Sequence, residues 1–347
     1  MVKPSSRKRV TLQDIASQTG YSLTAVSRAL RGMSDIGPDA TAHIKKAAQE
    51  MGYVANQTAV ALRYGRTNTI TAILVSLTNP FFSSMANLIQ IAAQKMGFSL
   101  IIMCSQDVEG LELKLVEEAI ARRSDGVLLF PTSHSQASIE RLRAAHMPFV
   151  LLSRNFPSCD TDCVVIDDEQ GAYLSAMHLI EAGRRKLAFL ASGGDSPSYA
   201  PRREGFLRAC REASVDAQLC VIPELKMPME TAFQSRALID ALDGLKAASV
   251  DGLFVFCDVE AWRVLEAIKR SPNLQTSDFG ISSFDNISGA LMVPTSLCSV
   301  DCGMDEIARR GMELLRDRIN GDERPPQTIV CQVRMICRDS CGRAESV

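Results

Sequence analysis

TLQDIASQTGYSLTAVSRALRG, residues 11–32, decides how the first part of this chain folds. Thr11 followed by Asp14 has the pattern of a capping box, in which hydroxyl and carboxylate satisfy the free N–H groups that open a helix. Leu12, Ile15 and Ala16 then recur on one face, and Gly20 ends the run. Ser22 can cap a second helix from Leu23 to about Arg31, with Val26, Ala29 and Leu30 facing inward and Gly32 closing it. A third helix is expected from about Pro38 to Met51, with Gly52 beyond it. Two short helices joined by a Gly-containing turn and braced by a third make a helix-turn-helix. A generic three-helix bundle is the plain alternative, but it has no reason to keep its second helix short and polar at the start. A second helix lying in a major groove would turn Leu23, Thr24 and Arg28 toward base edges. Ser22, Ser27 and the basic residues would then meet phosphates, and we group Thr11 with this DNA-facing set.

Charge supports the same expectation. Residues 1–66 hold ten Lys/Arg against four acids, a balance of +6, while the remaining residues carry 28 basic against 36 acidic groups, −8. A basic segment on an acidic body suits a polyanion, because neutralising phosphates releases condensed counterions. Charge alone fits a solvated basic tail equally well.

The other 281 residues alternate in a different way. Strands are expected at 70–76, 98–104, 126–130, 148–152, 187–191, 219–222, 252–256 and 279–284. Amphipathic helices fill the gaps, for example at 82–96, 111–122, 170–182 and 259–269; 305–320 is helical and 328–337 strand-like. Apolar strands with helical crossovers form parallel sheets, and eight are too many for one compact sheet, so two doubly wound lobes are expected. Ligands in such folds bind outside the carboxyl ends of strands.

No apolar run approaches the ~18 residues that suggest a membrane helix. The opening MVKPSSRKRV lacks the apolar segment of a secretory signal, and we expect a soluble cytoplasmic protein without a membrane partner. The 11 cysteines are odd in number and contain no CxxC pair, and the four histidines make no ligand-spaced motif. Small buried hydrophobes in a reducing compartment are the expected role, with no metal site and no cofactor.

Taken together the chain resembles the LacI/GalR family of transcription regulators. The resemblance rests on residues 11–32, on MGYVANQTAVALRYGRTNTI at 51–70, TNPFF at 78–82, SDGVLLFP at 124–131, MPFVLLSR at 147–154, RREGF at 202–206, FDN at 284–286 and RDSC at 338–341. It implies an all-α helix-turn-helix head over residues 1–54, a hinge helix and linker over 55–68, and a two-lobed, periplasmic-binding-protein-like α/β domain over 69–347. It further implies a homodimer, controlled by a small-molecule effector such as a sugar or sugar derivative, that binds a palindromic double-stranded DNA operator. The hinge would contribute Asn56, Ala59, Leu62 and Arg63. Leu62 would wedge into the minor groove and kink it, while Ala59 lets paired hinges approach closely. Such a short helix does not hold alone, so lobe rotation could switch it. The chain ends soon after RDSC without a leucine-heptad tail, and a dimer is the expected oligomer.

By the same resemblance Phe82, Ser153, Arg154, Ser196, Ser198, Arg202 and Asp285 line the effector cleft. An aromatic face can stack on a ring, an arginine can grip hydroxyls or a carboxylate, and an aspartate can accept two hydroxyl hydrogen bonds. Phe82 fits an ordinary core position equally well by periodicity, and Arg202 with Arg203 fits a solvated pair. The family pattern is broken at several places: Gly37, Ala40 and His43 open the third helix, Ala55 replaces a hinge proline, and Cys257 stands where Asn precedes Asp258. Two arginines near the cleft leave an anionic effector open beside a neutral sugar. An enzyme is the first alternative, but the chain has no P-loop, GxSxG or HExxH. A transporter's solute-binding protein would share the lobes yet have no use for residues 1–66, and a corepressor-activated regulator is a variant of the main expectation.

Overall fold

The computed structural model describes residues 10–54, 66–154, 160–193, 196–222, 236–287 and 296–342. The chain divides into one compact unit ending at Thr67 and a second beginning at Asn68.

In the first unit, α1 (Leu12–Thr19), α2 (Leu23–Leu30) and α3 (Pro38–Glu50) pack around Ile15, Val26, Ala29 and Ile44, all fully buried. The capping box at Thr11 is complete. The Thr11 amide donates to Asp14 Oδ2 at 2.8 Å, and the Asp14 amide donates to Thr11 Oγ1 at 3.3 Å. Gly20 ends α1 with φ 73°, a left-handed cap that favours glycine. Ser22 Oγ accepts from the Ala25 amide at 3.2 Å to start α2.

The second unit begins with β1 (Thr69–Leu74), α4 (Pro80–Lys95), β2 (Ser99–Cys104), α5 (Glu109–Ala121), β3 (Gly126–Leu129), α6 (Gln136–Ala144), β4 (Phe149–Ser153) and β5 (Cys163–Ile166). It continues through α7 (Asp168–Glu181), β6 (Lys186–Ala191), α8 (Tyr199–Ala213), β7 (Asp216–Val221), α9 (Arg236–Ala247), β8 (Gly252–Val255), α10 (Asp258–Arg270), β9 (Gly280–Phe284) and β10 (Cys298–Asp301). The last elements are α11 (Met304–Ile319), β11 (Thr328–Cys331) and β12 (Arg334–Ile336).

These strands form two six-stranded sheets, ordered β11-β5-β4-β3-β1-β2 and β12-β10-β9-β8-β6-β7. All pairings are parallel except β10 with β12. Each sheet is the centre of one lobe. The central strands β3, β4, β8 and β9 are buried along their whole length, as expected of strands covered by helices on both faces. The chain passes between the lobes three times: after β5, between β10 and α11, and between β11 and β12.

Two expectations need correction. The strand-like stretch 328–337 is two strands in different sheets, because the chain crosses between lobes at Gln332 and Val333. The strand expected at 219–222 begins earlier, at Asp216, where it pairs with Lys186 on β6. The strands β5 and β10 were not anticipated, and the helices α6, α8 and α9 were expected only as unlocated fillers of the gaps between strands. The short strands CVVI and CSVD carry weak patterns, and α8 is rich in arginine and holds Pro201, which the first turn of a helix tolerates.

Candidate functional site

In the first unit, Leu23 and Thr24 stand exposed at the start of α2, and Leu23 keeps 47% of its surface open despite being apolar. Ser22, which caps the helix beside it, is exposed as well. Ser27 and Arg28 are half-buried. Arg28 Nη2 pairs with Asp35 at 2.6 Å while its Nε is buried without a partner, so the guanidinium is tethered at one end. Asn56, Ala59, Leu62 and Arg63 lie outside the described residues.

In the second unit, the candidate effector residues gather at the carboxyl ends of the strands. Ser153 closes β4 and is buried with φ 69°; Arg154 follows it and donates from Nη1 to Asp107 Oδ1 at 3.1 Å and to the Pro131 carbonyl at 2.9 Å. Phe82, on the first turn of α4, is buried edge-on against Phe81 and Phe130, with centroids 5.1 and 5.6 Å away. Its ring belongs to the hydrophobic core.

Across from these, Ser196 and Ser198 lead into α8, where the Ser196 carbonyl accepts from the Tyr199 amide at 2.9 Å. Arg202, one turn on, is 4% exposed and is the centre of the arrangement. It donates from Nε to Asp168 Oδ1 at 2.7 Å and from Nη1 to the Phe256 carbonyl at 2.6 Å, and its Nη2 lies 3.7 Å from Asp285 Oδ1. The guanidinium carbon sits 3.7 Å above the Phe284 ring centre and 4.6 Å from that of Phe256. Cation–π contacts of this kind strengthen when water is excluded.

Asp285 follows β9 with φ 103°, and Asn286 beside it has φ 49°. Left-handed backbone at a non-glycine residue costs of order 1–3 kcal/mol and concentrates at functional sites. The carboxyl is buried, its amide donating to the Val300 carbonyl at 2.9 Å. Glu260, on the first turn of α10, is also buried and accepts from the Ser192 amide at 3.2 Å.

The electrostatics follow from burying three carboxyls around one guanidinium. Desolvation pushes Asp168 above the ordinary carboxylate range against the pull of Arg202, and lifts Asp285 well above it. Burial raises Glu260 to about 7. Burial lowers Arg202, but Asp168 and Asp285 outweigh it and the net direction is up. Arg154 is felt at Asp168, so the strand ends of the two lobes face each other. The site therefore holds more acid than base, and both arginines are already engaged by protein oxygens.

The structure thus brings Arg154, Ser198, Arg202 and Asp285 around Asp168, with Ser153 beside Arg154 and Ser196 beside Ser198, while Phe82 lies in the core. Sequence reasoning missed Asp107, Asp168, Phe256, Glu260 and Phe284. Asp168 and Glu260 each open a helix directly after a strand, and that position was the available signal. Asp258, named beside Cys257, is instead built into the scaffold: it accepts from the Ser283 hydroxyl, from Ser299 Oγ at 2.6 Å and from the Ile287 amide at 2.8 Å, fixing the chain after β9.

Residues 11–56 match the family described as bacterial regulatory proteins, lacI family. Residues 67–235 match periplasmic binding proteins and sugar binding domain of LacI family, and 176–341 match a periplasmic binding protein-like domain. The chain is 27% identical over 337 residues to the HTH-type transcriptional regulator DegA of Bacillus subtilis, covering 96% of this chain and 98% of DegA. It is 24% identical over 332 residues to the HTH-type transcriptional repressor PurR of Actinobacillus pleuropneumoniae, covering 95% and 98%. The fold is similar to that of the lac repressor dimer bound to operator and the anti-inducer ONPF (TM-score 0.81, 20% identity, covering 96% of this chain and 99% of that one). It is also similar to the CelR–cellobiose complex (TM-score 0.68, 23% identity, 96% and 100%). With a helix-turn-helix match at its start and sugar-binding-domain matches along the rest, the chain belongs to the LacI family of bacterial regulatory proteins.

Proposed function

We propose that this protein is a transcription repressor that binds a palindromic operator as a homodimer and responds to a neutral, polyhydroxylated small molecule. Residues 1–54 read the DNA, 55–68 form the hinge, and 69–347 bind the effector and the second copy. Leu23, Thr24 and Arg28 face bases, Thr11, Ser22 and Ser27 face the backbone, and Asn56, Ala59, Leu62 and Arg63 act in the hinge. An operator-binding protein works beside the chromosome, in the cytoplasm.

The observation that carries the effector class is the state of the two arginines. Arg202 is enclosed by Asp168, Asp285 and the Phe256 carbonyl, and Arg154 by Asp107 and the Pro131 carbonyl. An anionic effector would have to displace a carboxylate from one of them, leaving that carboxylate buried without its counter-charge. Hydroxyl groups instead donate to carboxylates, and the half-buried Phe256 ring beside Arg202 offers an apolar edge. Relatives solved with cellobiose and with ribose support a carbohydrate. These carboxylates are assigned to binding, and no catalytic role is given to them.

A thermal-shift panel of sugars, sugar acids and nucleobases on the full-length protein tests the class, since a ligand selective for the folded state raises apparent stability. Neutral sugars should shift the midpoint, and the active one should change protection of an operator fragment in a footprint. A response confined to sugar acids would overturn the effector class. Failure to prefer any duplex over random competitor would overturn the regulator itself.

A further inference from the structure

At the opposite pole of the second lobe from Asp285, where β10 begins, four side chains with metal-binding chemistry converge. His178 lies in the last turn of α7, Cys298 opens β10, Cys337 follows β12, and Cys341 lies in the short turn Asp339–Cys341. One ligand atom from each, a ring nitrogen and three sulfurs, lies within 4.8 Å of every other. We propose that these residues form a tetrahedral Cys3His site for zinc.

His178 supplies the observation that points to a ligand. It is 7% exposed, and its Nε2 is sealed from solvent with no hydrogen-bond partner. A buried ring nitrogen in that state carries an uncompensated desolvation cost of roughly 1–3 kcal/mol. Cys298, Cys341 and Cys337 all direct Sγ at one acceptor, the Arg338 carbonyl, at 3.0, 3.6 and 3.8 Å, so the three sulfurs surround a common point. A metal ion there would give the His178 nitrogen the partner it lacks and take the three sulfurs as its other ligands.

The geometry lies close to what zinc needs. Zn–S of about 2.3 Å and Zn–N of about 2.0–2.1 Å in a tetrahedron place ligand atoms roughly 3.5–3.8 Å apart, so no pair separated by up to 4.8 Å need close by more than about 1.3 Å. Three sulfurs and an imidazole favour a soft or borderline ion over the oxygen-seeking Mg2+ and Ca2+. The Arg338 amide donates to Cys298 Sγ at 3.1 Å, and Arg184 Nη2 donates to the Cys341 carbonyl at 3.2 Å. Zinc with three thiolates carries one net negative charge, and the Arg184 guanidinium on the Cys341 backbone stands beside it.

The turn is already positioned. The Ser340 hydroxyl donates to the Ile281 carbonyl at 2.6 Å and accepts from the Cys298 amide at 2.7 Å, and the Ser340 amide donates to the Ser296 carbonyl at 2.8 Å. The ion would join α7, β10 and the segment after β12, fastening the end of the described chain to the base of the lobe. Binding releases the thiol protons, up to three per zinc, so affinity rises with pH.

Cobalt(II) titration of chelator-treated, reduced full-length protein tests the site. One equivalent per chain should develop the visible bands and thiolate charge-transfer absorption of a tetrahedral sulfur-rich site, and zinc should bleach them. Cys337 is exposed, so Cys337→Ala spares the core. It should weaken binding by at least the ~10–100-fold that outer-shell partners of a metal cost, while Cys104→Ser in the other lobe leaves binding unchanged. Wild-type protein gives a second readout: zinc should slow alkylation of Cys337 at least tenfold and leave Cys104 unaffected. Absence of the cobalt spectrum, its survival in Cys337→Ala, its loss in Cys104→Ser, or zinc-independent alkylation of Cys337 would each overturn the assignment.

Discussion

At the scale of single residues, the balance of charge around Arg202 decides behaviour. Arg202→Ala would leave Asp168 and Asp285 buried without their counter-charge. Removing one partner of a buried pair costs of order 3–5 kcal/mol, and a thermal midpoint lowered by several degrees should report it, together with loss of the effector-induced shift. Glu260 yields a pH prediction. Its native value of about 7 lies above the ordinary 4.5, so between those values the folded chain holds a proton that the unfolded chain has lost. Stability therefore falls as pH rises through this window, by about 3 kcal/mol in full. Glu260→Gln stays neutral, and its stability relative to wild type should rise between pH 5 and 8 in urea melts; a constant difference would refute the shift. Arg202 and Asp285 were legible because each sits in a recognisable short motif. Asp168 and Glu260 were not, since opening a helix after a strand is a position that ordinary first-turn acids share. Their importance comes from being folded against an arginine 34 residues from one of them and buried with it.

At the scale of elements, caps and close approaches set the geometry. The Thr11–Asp14 box and the Gly20 cap were readable because they depend on neighbours in sequence. The packing of α7 on α8 was not. A Cβ on Gly205 would collide with the backbone carbonyl of Glu169, which cannot swing away, and one on Gly171 would come within 2.5 Å of the Phe284 ring that carries Arg202. Gly205→Ala should destabilise the second unit by roughly 1–3 kcal/mol or more through overpacking. Gly244→Ala, in α9 with open space around it, should stabilise by about 0.5–1 kcal/mol through helix propensity alone. Paired chemical denaturation curves check the opposite signs, and equal effects would refute a tight contact between α7 and α8. The helices left unread, α6, α8 and α9, carry mixed faces, and a polar helix on a covered sheet gives little periodic signal.

At the scale of the whole molecule, deleting residues 1–66 should abolish operator binding in gel-shift assays and leave a folded body whose thermal midpoint still responds to the effector. Retained operator binding would place the DNA-reading surface elsewhere. The two-lobed α/β architecture was readable from alternating apolar runs, whereas the assignment of strands to lobes was not. That assignment depends on where the chain changes sheets, and the last change takes only Gln332 and Val333 between β11 and β12.

The threefold passage of the chain has a consequence for proteolysis. A protease that nicks one of the three links leaves the halves tied by the other two, so the cut protein should still migrate as a single particle until denatured. The same arrangement limits how the halves can move: three short links tie them together and resist separation, so occupancy of the strand ends has few directions in which to act.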